Sequence, residues 1–241
     1  MMRRTCLLLV LLILSPPIQA AEATSQVVVI KSNAAPFAPG KIINATETLS
    51  LSAGERITAV ASNGQVIQVA GPYSGVVRMP PVSEKSASVV QTISNLMKSE
   101  SADRDTLAVT RQWRVERTPQ DPWAVQIALA GPHCVLEMQP VSIWRSDAGK
   151  ETSLRLSGGP GGRFADSRWR DGENAVPWPS SIEIANGRTY RAKIGGSGEE
   201  MVFDVFVAPR SLPTSIHRAA WIAEHGCRRQ ARMLLEKATN E

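Results

Sequence analysis

Arg56-Ile57-Thr58-Ala59-Val60-Ala61-Ser62-Asn63-Gly64-Gln65-Val66-Ile67-Gln68-Val69-Ala70 is the stretch that decides the fold class. Two runs rich in β-branched residues flank an Asn-Gly pair. Both residues of such a pair tolerate the positive φ of a tight hairpin turn, so the segment reads as strand, turn, strand. Gly71-Pro72 then stops the second strand, because proline has no N–H to give to a sheet ladder. Working outward, Gln26 to Lys31, Leu49 to Leu51 and Val76 to Met79 are further short runs separated by turn residues. Residues 24–81 therefore read as a small β-meander.

Beyond it the composition changes. The chain has 241 residues, which suits one large domain or two modest ones, and its 43% apolar and 20% charged residues exclude a disordered, collagen-like or multi-span membrane protein. All six tryptophans, Trp113, Trp123, Trp144, Trp169, Trp178 and Trp221, follow residue 112, whereas residues 24–82 hold only Phe37 and Tyr73 as aromatics. Large aromatics supply much of the buried area of a core, so two units are expected, a small aliphatic one and a larger aromatic one.

Between the units, Val82, Ser86, Val90, Ile93 and Met97 recur at three and four, with Ser83 as a candidate N-cap, which predicts a helical connector over 82–102; its many serines keep a partly disordered linker open as an alternative. Period two then returns. Leu107, Val109, Trp113 and Val115 read as one strand, Trp123, Val125, Ile127 and Leu129 as the next, then Cys134, Leu136 and Met138. Val141 to Arg145, Leu154 to Leu156, Arg188 to Ile194 and Met201 to Val207 follow. Arg111 breaks the apolar face of its run, which predicts a bulge or a buried ion pair there. Strands at this spacing, with Pro and Gly between them, predict a mainly β chain whose second unit, 103–210, is an antiparallel immunoglobulin-like sandwich. The chain closes over 211–241 with a helix on which Ile216, Ala220, Ala223, Cys227, Ala231, Leu234 and Ala238 form one face. Thr214 or Ser215 would cap it, and Gly226 would divide it in two.

Within the first unit, Gly40, Leu51, Gly54, Ile57, Gly64, Ile67, Val69 and Gly71 follow the glycine-and-strand rhythm of the FecR-like periplasmic domain, which this region of about 55 residues resembles. The resemblance implies a small β domain exposed to the cell envelope. Members of that family relay a signal from an outer-membrane receptor to a sigma factor through a spanning helix, and no spanning helix is read here, so the fold rather than the relay is what carries over.

The first twenty residues have the three parts of a secretory leader: Arg3 and Arg4, an apolar run from Cys6 to Leu14, and small residues ending at Ala20. Residues 1–20 are expected to be a cleaved signal peptide, the run being too short to span a bilayer. The net charge of +5 loses Arg3 and Arg4 with the leader and becomes +3. That mild balance lacks the basic stripe of a nucleic-acid binder, so no nucleic-acid partner is expected.

Cys6 leaves with the leader, so two cysteines remain, Cys134 and Cys227, and in an oxidising compartment a disulfide between them is the default. The competing reading gathers His133, Cys134, His225 and Cys227 into a zinc site or a thiol centre. His217 is expected at the surface. Gly158-Gly159-Pro160-Gly161-Gly162 lacks the Lys-Ser/Thr of a phosphate loop, Gly195-Gly196-Ser197-Gly198-Glu199 fails the nucleophile elbow at its last position, and Gly71-Pro72-Tyr73-Ser74-Gly75 places its serine one residue late. Asp147, Glu151, Asp166, Asp171 and Glu173 have no spacing that fixes a catalytic pair and read as solubilising charges. The expectation is a non-enzymatic, exported binding or scaffold protein of the cell envelope, periplasmic or secreted, without cofactor. Its partner would be an envelope protein or glycan. A FecR-type regulator and a metal- or thiol-dependent enzyme are the alternatives.

Overall fold

The structure is a computed structural model that describes residues 25–78, 87–107, 118–129, 131–159, 161–195 and 200–240. The expected leader, Val82, Ser83, Ser86, Arg111 and Trp113 lie outside the described residues. Among those residues the chain is mainly β, with fourteen strands in four sheets and three helices.

Six strands form the first unit: β1 (Gln26–Ser32), β2 (Ile42–Asn44), β3 (Thr48–Leu51), β4 (Arg56–Ala61), β5 (Val66–Ala70) and β6 (Tyr73–Val76). They pair as a four-stranded antiparallel sheet in the order β2-β1-β4-β5, with β3 and β6 as a separate two-stranded ribbon. The Asn63-Gly64 turn joins β4 to β5 as expected: Gly64 has φ +82°, its N–H donates to the Ala61 carbonyl at 2.9 Å, and Asn63 Oδ1 accepts from the Gln65 N–H at 3.0 Å. The last strand lies earlier than its apolar residues suggested, at Tyr73–Val76 instead of Val76 to Met79, because Gly75 and Ser74 pair with Leu49 and Ser50 across the ribbon. The strand β2 was not expected. Val27, Val29, Ile43, Leu49, Leu51, Ile57 and Ala59 close one core with Phe37.

The other face of the sheet is also covered, which explains why β1 and β4 show little alternation. Val28, Ile30 and Val60 point to a second core formed by the helix α1 (Ala87–Leu107) and two C-terminal helices. Val89, Val90, Ile93 and Leu96 of α1 are buried there. The segment expected to be a spacer is thus a packed layer. Ser94 Oγ donates to the Gly40 carbonyl at 2.6 Å, and Gly40, at φ +87°, lets the helix approach so closely that a Cβ would lie 2.9 Å from Lys98 Cγ. The helix also runs beyond residue 102, so Leu107, read above as the start of a strand, is helical. Tertiary packing overrides the weak helix propensity of its serines.

The second unit contains β7 (Val125–Gln126), β8 (Gly131–Leu136), β9 (Ser142–Trp144), β10 (Thr152–Ser157), β11 (Phe164–Trp169), β12 (Ala175–Pro177), β13 (Arg188–Ile194) and β14 (Glu200–Ala208). Five strands form a sheet in the order β11-β10-β13-β14-β8, and three form another in the order β12-β9-β7. Trp169, Tyr190, Phe203, Leu154, Leu156 and Ile143 close the core between them. The rings of Trp178 and Tyr190 meet edge to face at 5.0 Å, a favoured aromatic arrangement. Two pairings depart from the expected antiparallel pattern: β8 runs parallel to β14, and β7 parallel to β9. Residues 137–199 lie between β8 and β14 and supply the long crossover that a parallel pair requires. β11 and β12 were not expected either. The β11 sequence, Phe164-Ala165-Asp166-Ser167-Arg168-Trp169, carries its only large buried side chain at the last residue. Met138, placed on an apolar face by the sequence, is an exposed turn residue with φ +57°.

The terminal helix is two helices, α2 (Ser215–Glu224) and α3 (Arg228–Asn240), divided at Gly226 as expected, where φ is +82° and the Cys227 N–H donates back to the Ile222 carbonyl at 2.9 Å. Thr214 caps α2 by accepting the His217 N–H at 3.3 Å. Ile216, Ala219, Ala220, Ile222, Ala231, Leu234 and Leu235 face the shared core. The helices therefore touch both β units. At the cap, Gly64 of the β4–β5 turn lies directly against Thr214 Oγ1 and the His217 ring, leaving no room for a side chain.

Candidate functional site

The four residues weighed above as a disulfide or a metal cluster meet where α3 crosses the edge of β8. Cys134 and Cys227 are joined, with S–S 2.07 Å and Cα atoms 6.0 Å apart across a separation of 93 residues. Both sulfurs are consumed, so neither is a thiolate ligand or nucleophile in this state. Closing a loop of that length is worth ~4 to 5 kcal/mol on the chain-entropy model.

The bond does not act alone. Gln230, in the first turn of α3, is buried, and its amide serves the strand edge in both directions: Oε1 accepts the Cys134 N–H at 2.8 Å, and Nε2 donates to the Cys134 and Pro122 carbonyls, each at 2.8 Å. A carboxamide has the donor and acceptor of a peptide unit, so the side chain substitutes for a missing neighbouring strand. Without it, buried main-chain groups would be unpaired. Gln230 was not singled out from sequence. A glutamine beside Cys227 on an otherwise apolar face was the only signal.

His133 and His225 do not converge on a ligand position. His133 is 4% exposed, with Nδ1 3.1 Å from the Gly131 carbonyl and Nε2 3.0 Å from the Gln126 carbonyl, and its ring meets Phe203 edge-on at 5.4 Å. Burial pushes its imidazole below the ordinary range, and the two carbonyls oppose that shift. His225 stacks on Trp221 with centroids 3.6 Å apart and bonds the Trp221 carbonyl through Nδ1 at 2.8 Å. Among the described residues no three His, Cys, Asp or Glu side chains are grouped to hold a metal ion. His217 is half-buried rather than at the surface, with Nδ1 2.8 Å from Thr214 Oγ1, and desolvation holds its imidazole low as well. That pair is a helix cap, since the hydroxyl already accepts the His217 N–H.

Four of the five acids singled out from the sequence have a local structural partner. Asp166 pairs with Arg155 at 2.7 Å, Glu151 with Arg168 at 3.0 Å, Glu173 accepts the Arg170 N–H at 2.9 Å, and Asp147 accepts the Gly149 N–H at 2.9 Å. The turn holding Glu173 is clamped by Arg145, which is 5% exposed, donates to the Glu173 and Arg170 carbonyls at 3.0 and 3.1 Å, and lies 5.2 Å from the Trp169 ring.

What the strands do present to solvent is a ladder of charge. Register places Asp166, Arg155, Lys193 and Glu200 side by side across β11, β10, β13 and β14. Phe164, Ser157, Arg191 and Val202 form the next row, in which Phe164 is 68% exposed. Arg155 also lies 5.9 Å from the Phe164 ring. A depression of about 620 Å³ opens along this face, lined by Ser153, Arg155, Asp166, Arg168 and Lys193. The rungs stand on rigid strands above the aromatic core. No helix of the described residues is long and apolar enough to cross a membrane. No protein-family model matches the chain, and no curated protein matches it.

Proposed function

We propose that the protein is a non-enzymatic binding or scaffold module of the cell envelope, exported to the periplasm or beyond after loss of residues 1–20. In this reading residues 24–81 form a FecR-like domain, the helix Ala87–Leu107 packs against it, an immunoglobulin-like sandwich follows up to residue 210, and 211–241 form a docked C-terminal element. The buried disulfide supports an oxidising destination, where such bonds persist. The observation that carries the binding role is the ladder from Asp166 to Glu200, bordered by exposed Phe164. A row with two bases between two acids and one aromatic beside it, held on a sheet, suits recognition of a polar envelope protein or glycan. Arg155→Glu with Lys193→Glu inverts two rungs. Affinity capture from envelope extracts, and direct titration of any glycan recovered, is expected to lose about tenfold or more in the double variant. Capture of nothing by the wild-type protein, or an unchanged set of partners in the variant, would overturn the reading.

A second reading, an envelope signalling regulator of FecR type, rests on the FecR-like rhythm of the turn glycines alone. Gly40, Gly54 and Gly64 hold φ between +82° and +87°, and a side chain on Gly71 would collide with the Ser52 carbonyl. The glycine rhythm therefore reflects backbone need. Deleting the gene should then silence an outer-membrane receptor's transcriptional response; an unaltered response removes this reading.

A further inference from the structure

The two edges of the five-stranded sheet are treated differently. At β8 the edge is sealed by the Gln230 amide and the helices behind it. At β11 no described residue pairs with the outer edge. β11 is six residues long, matches β10 residue for residue without a bulge, and contains neither proline nor glycine. An open, regular edge of this kind invites another strand unless something prevents it. Charged side chains are the usual protection, because a second copy would bring like charges together.

Here the charges are arranged the opposite way. The segment reads Arg163-Phe164-Ala165-Asp166-Ser167-Arg168-Trp169-Arg170-Asp171. When the strand itself, Phe164–Trp169, is laid antiparallel on a second copy with Ser167 at the centre, Asp166 faces Arg168 and Ala165 faces Trp169. The charge attraction occurs twice because the pair is symmetric. Shifting the register by two residues sets Asp166 against Asp166 or Arg168 against Arg168. Opposite charges directly across a strand pair stabilise it and like charges oppose it, so the sequence selects one register. Side chains on the outer face fit this use: Phe164, Asp166 and Arg168 are all exposed there, alternating with the more buried Ala165, Ser167 and Trp169. Their present partners, Arg155 and Glu151, are themselves exposed and can retain contact beside a new strand.

We infer that β11 is the interface of a twofold homodimer in which the β11 strands of two copies pair antiparallel about Ser167, joining two five-stranded sheets into one of ten strands. The same patch on both copies makes the contact closed and self-complementary. The occupant is a second copy of this chain, argued from that charge register, and the inference stands apart from the binding role proposed above.

Charge exchange tests it on the full-length mature protein by sedimentation velocity over a wide dilution range. Wild type should show concentration-dependent dimer. Asp166→Arg sets arginine against arginine and Arg168→Asp sets aspartate against aspartate, so each alone should weaken association by about tenfold or more. An equimolar mixture of the two variants restores both attractions and should recover the dimer as a heterodimer, which also proves that each variant is folded. Ser167→Cys should form an intermolecular disulfide when a mild oxidant removes two electrons and two protons from the facing thiols, whereas Ser153→Cys on β10 should not. A monomeric wild type at every concentration, dimerisation of the single variants as strong as wild type, or failure of Ser167→Cys to cross-link would overturn the inference.

Discussion

The core of the first β unit and the core beneath the helices are built from the same kinds of aliphatic side chain but from very different lengths of sequence. The first is closed by residues that all lie between Val27 and Val77. The second joins Val28 and Val60 to α1, to Cys134 on β8 and to Leu235 near the chain terminus. Nearby segments find each other at little cost in loop closure, whereas distant ones must be brought together against a larger entropy. The long-range core correspondingly carries the covalent bond and the buried glutamine, and the local core carries neither. Where contacts are remote, the chain adds specific fasteners to unspecific burial.

The sharpest way to break the contrast is to remove the fastener. Cys134→Ala with Cys227→Ala should lower stability by ~4 to 5 kcal/mol, read as the shift of the urea midpoint, with the first β unit losing amide-exchange protection last. If both units lose protection together, the local core has no independence. Ile43→Ala probes that local core directly. Its side chain is fully buried, and truncation should cost about 2 to 5 kcal/mol in the same measurement. Gln230→Leu keeps most of the volume but leaves the Cys134 N–H and two carbonyls without partners, so about 1 to 3 kcal/mol should be lost, with new exchange at the Cys134 amide. Gly64→Ala should cost about 1 kcal/mol or more, since it strains a positive φ and pushes on Thr214 and His217.

Acid provides the smallest effect and the finest test. The unfolded chain holds the His133 proton more tightly than the folded one, because burial depresses the folded imidazole. Stability is then full above the ordinary imidazole value, about 6.5, and falls as the pH drops below it. Thermal melts from neutral to mildly acid pH should show this decline, and His133→Gln should flatten part of it. The half-buried His217, depressed for the same reason, acts in the same direction.

Much of the architecture was legible where the residues that decide a feature are close in sequence. The hairpin at Asn63-Gly64, the strands Arg188–Ile194 and Val66–Ala70, the break at Gly226 and the Thr214 cap all follow from local turn and capping chemistry. The disulfide was legible from arithmetic, since two cysteines were left after the leader was set aside. What the sequence concealed depends on distant partners. The strands β2 and β12 are three residues each and exist only because β1 and β9 lie beside them. α1 reads as a spacer because the surfaces that bury Val89 and Val90 come from the two ends of the chain. Gln230 is one polar residue on an apolar helix, and its role becomes visible only when the Cys134 peptide is placed opposite it.

The Gln230 amide also sets a limit on growth. Because that carboxamide occupies the hydrogen-bonding groups a newcomer would need at Cys134, the sheet is stoppered on one flank and can be extended only from the other. Once two molecules have met through the open flank, each exposes a plugged end to the surroundings. In the dimer inferred above, growth of this five-stranded sheet therefore stops at a pair.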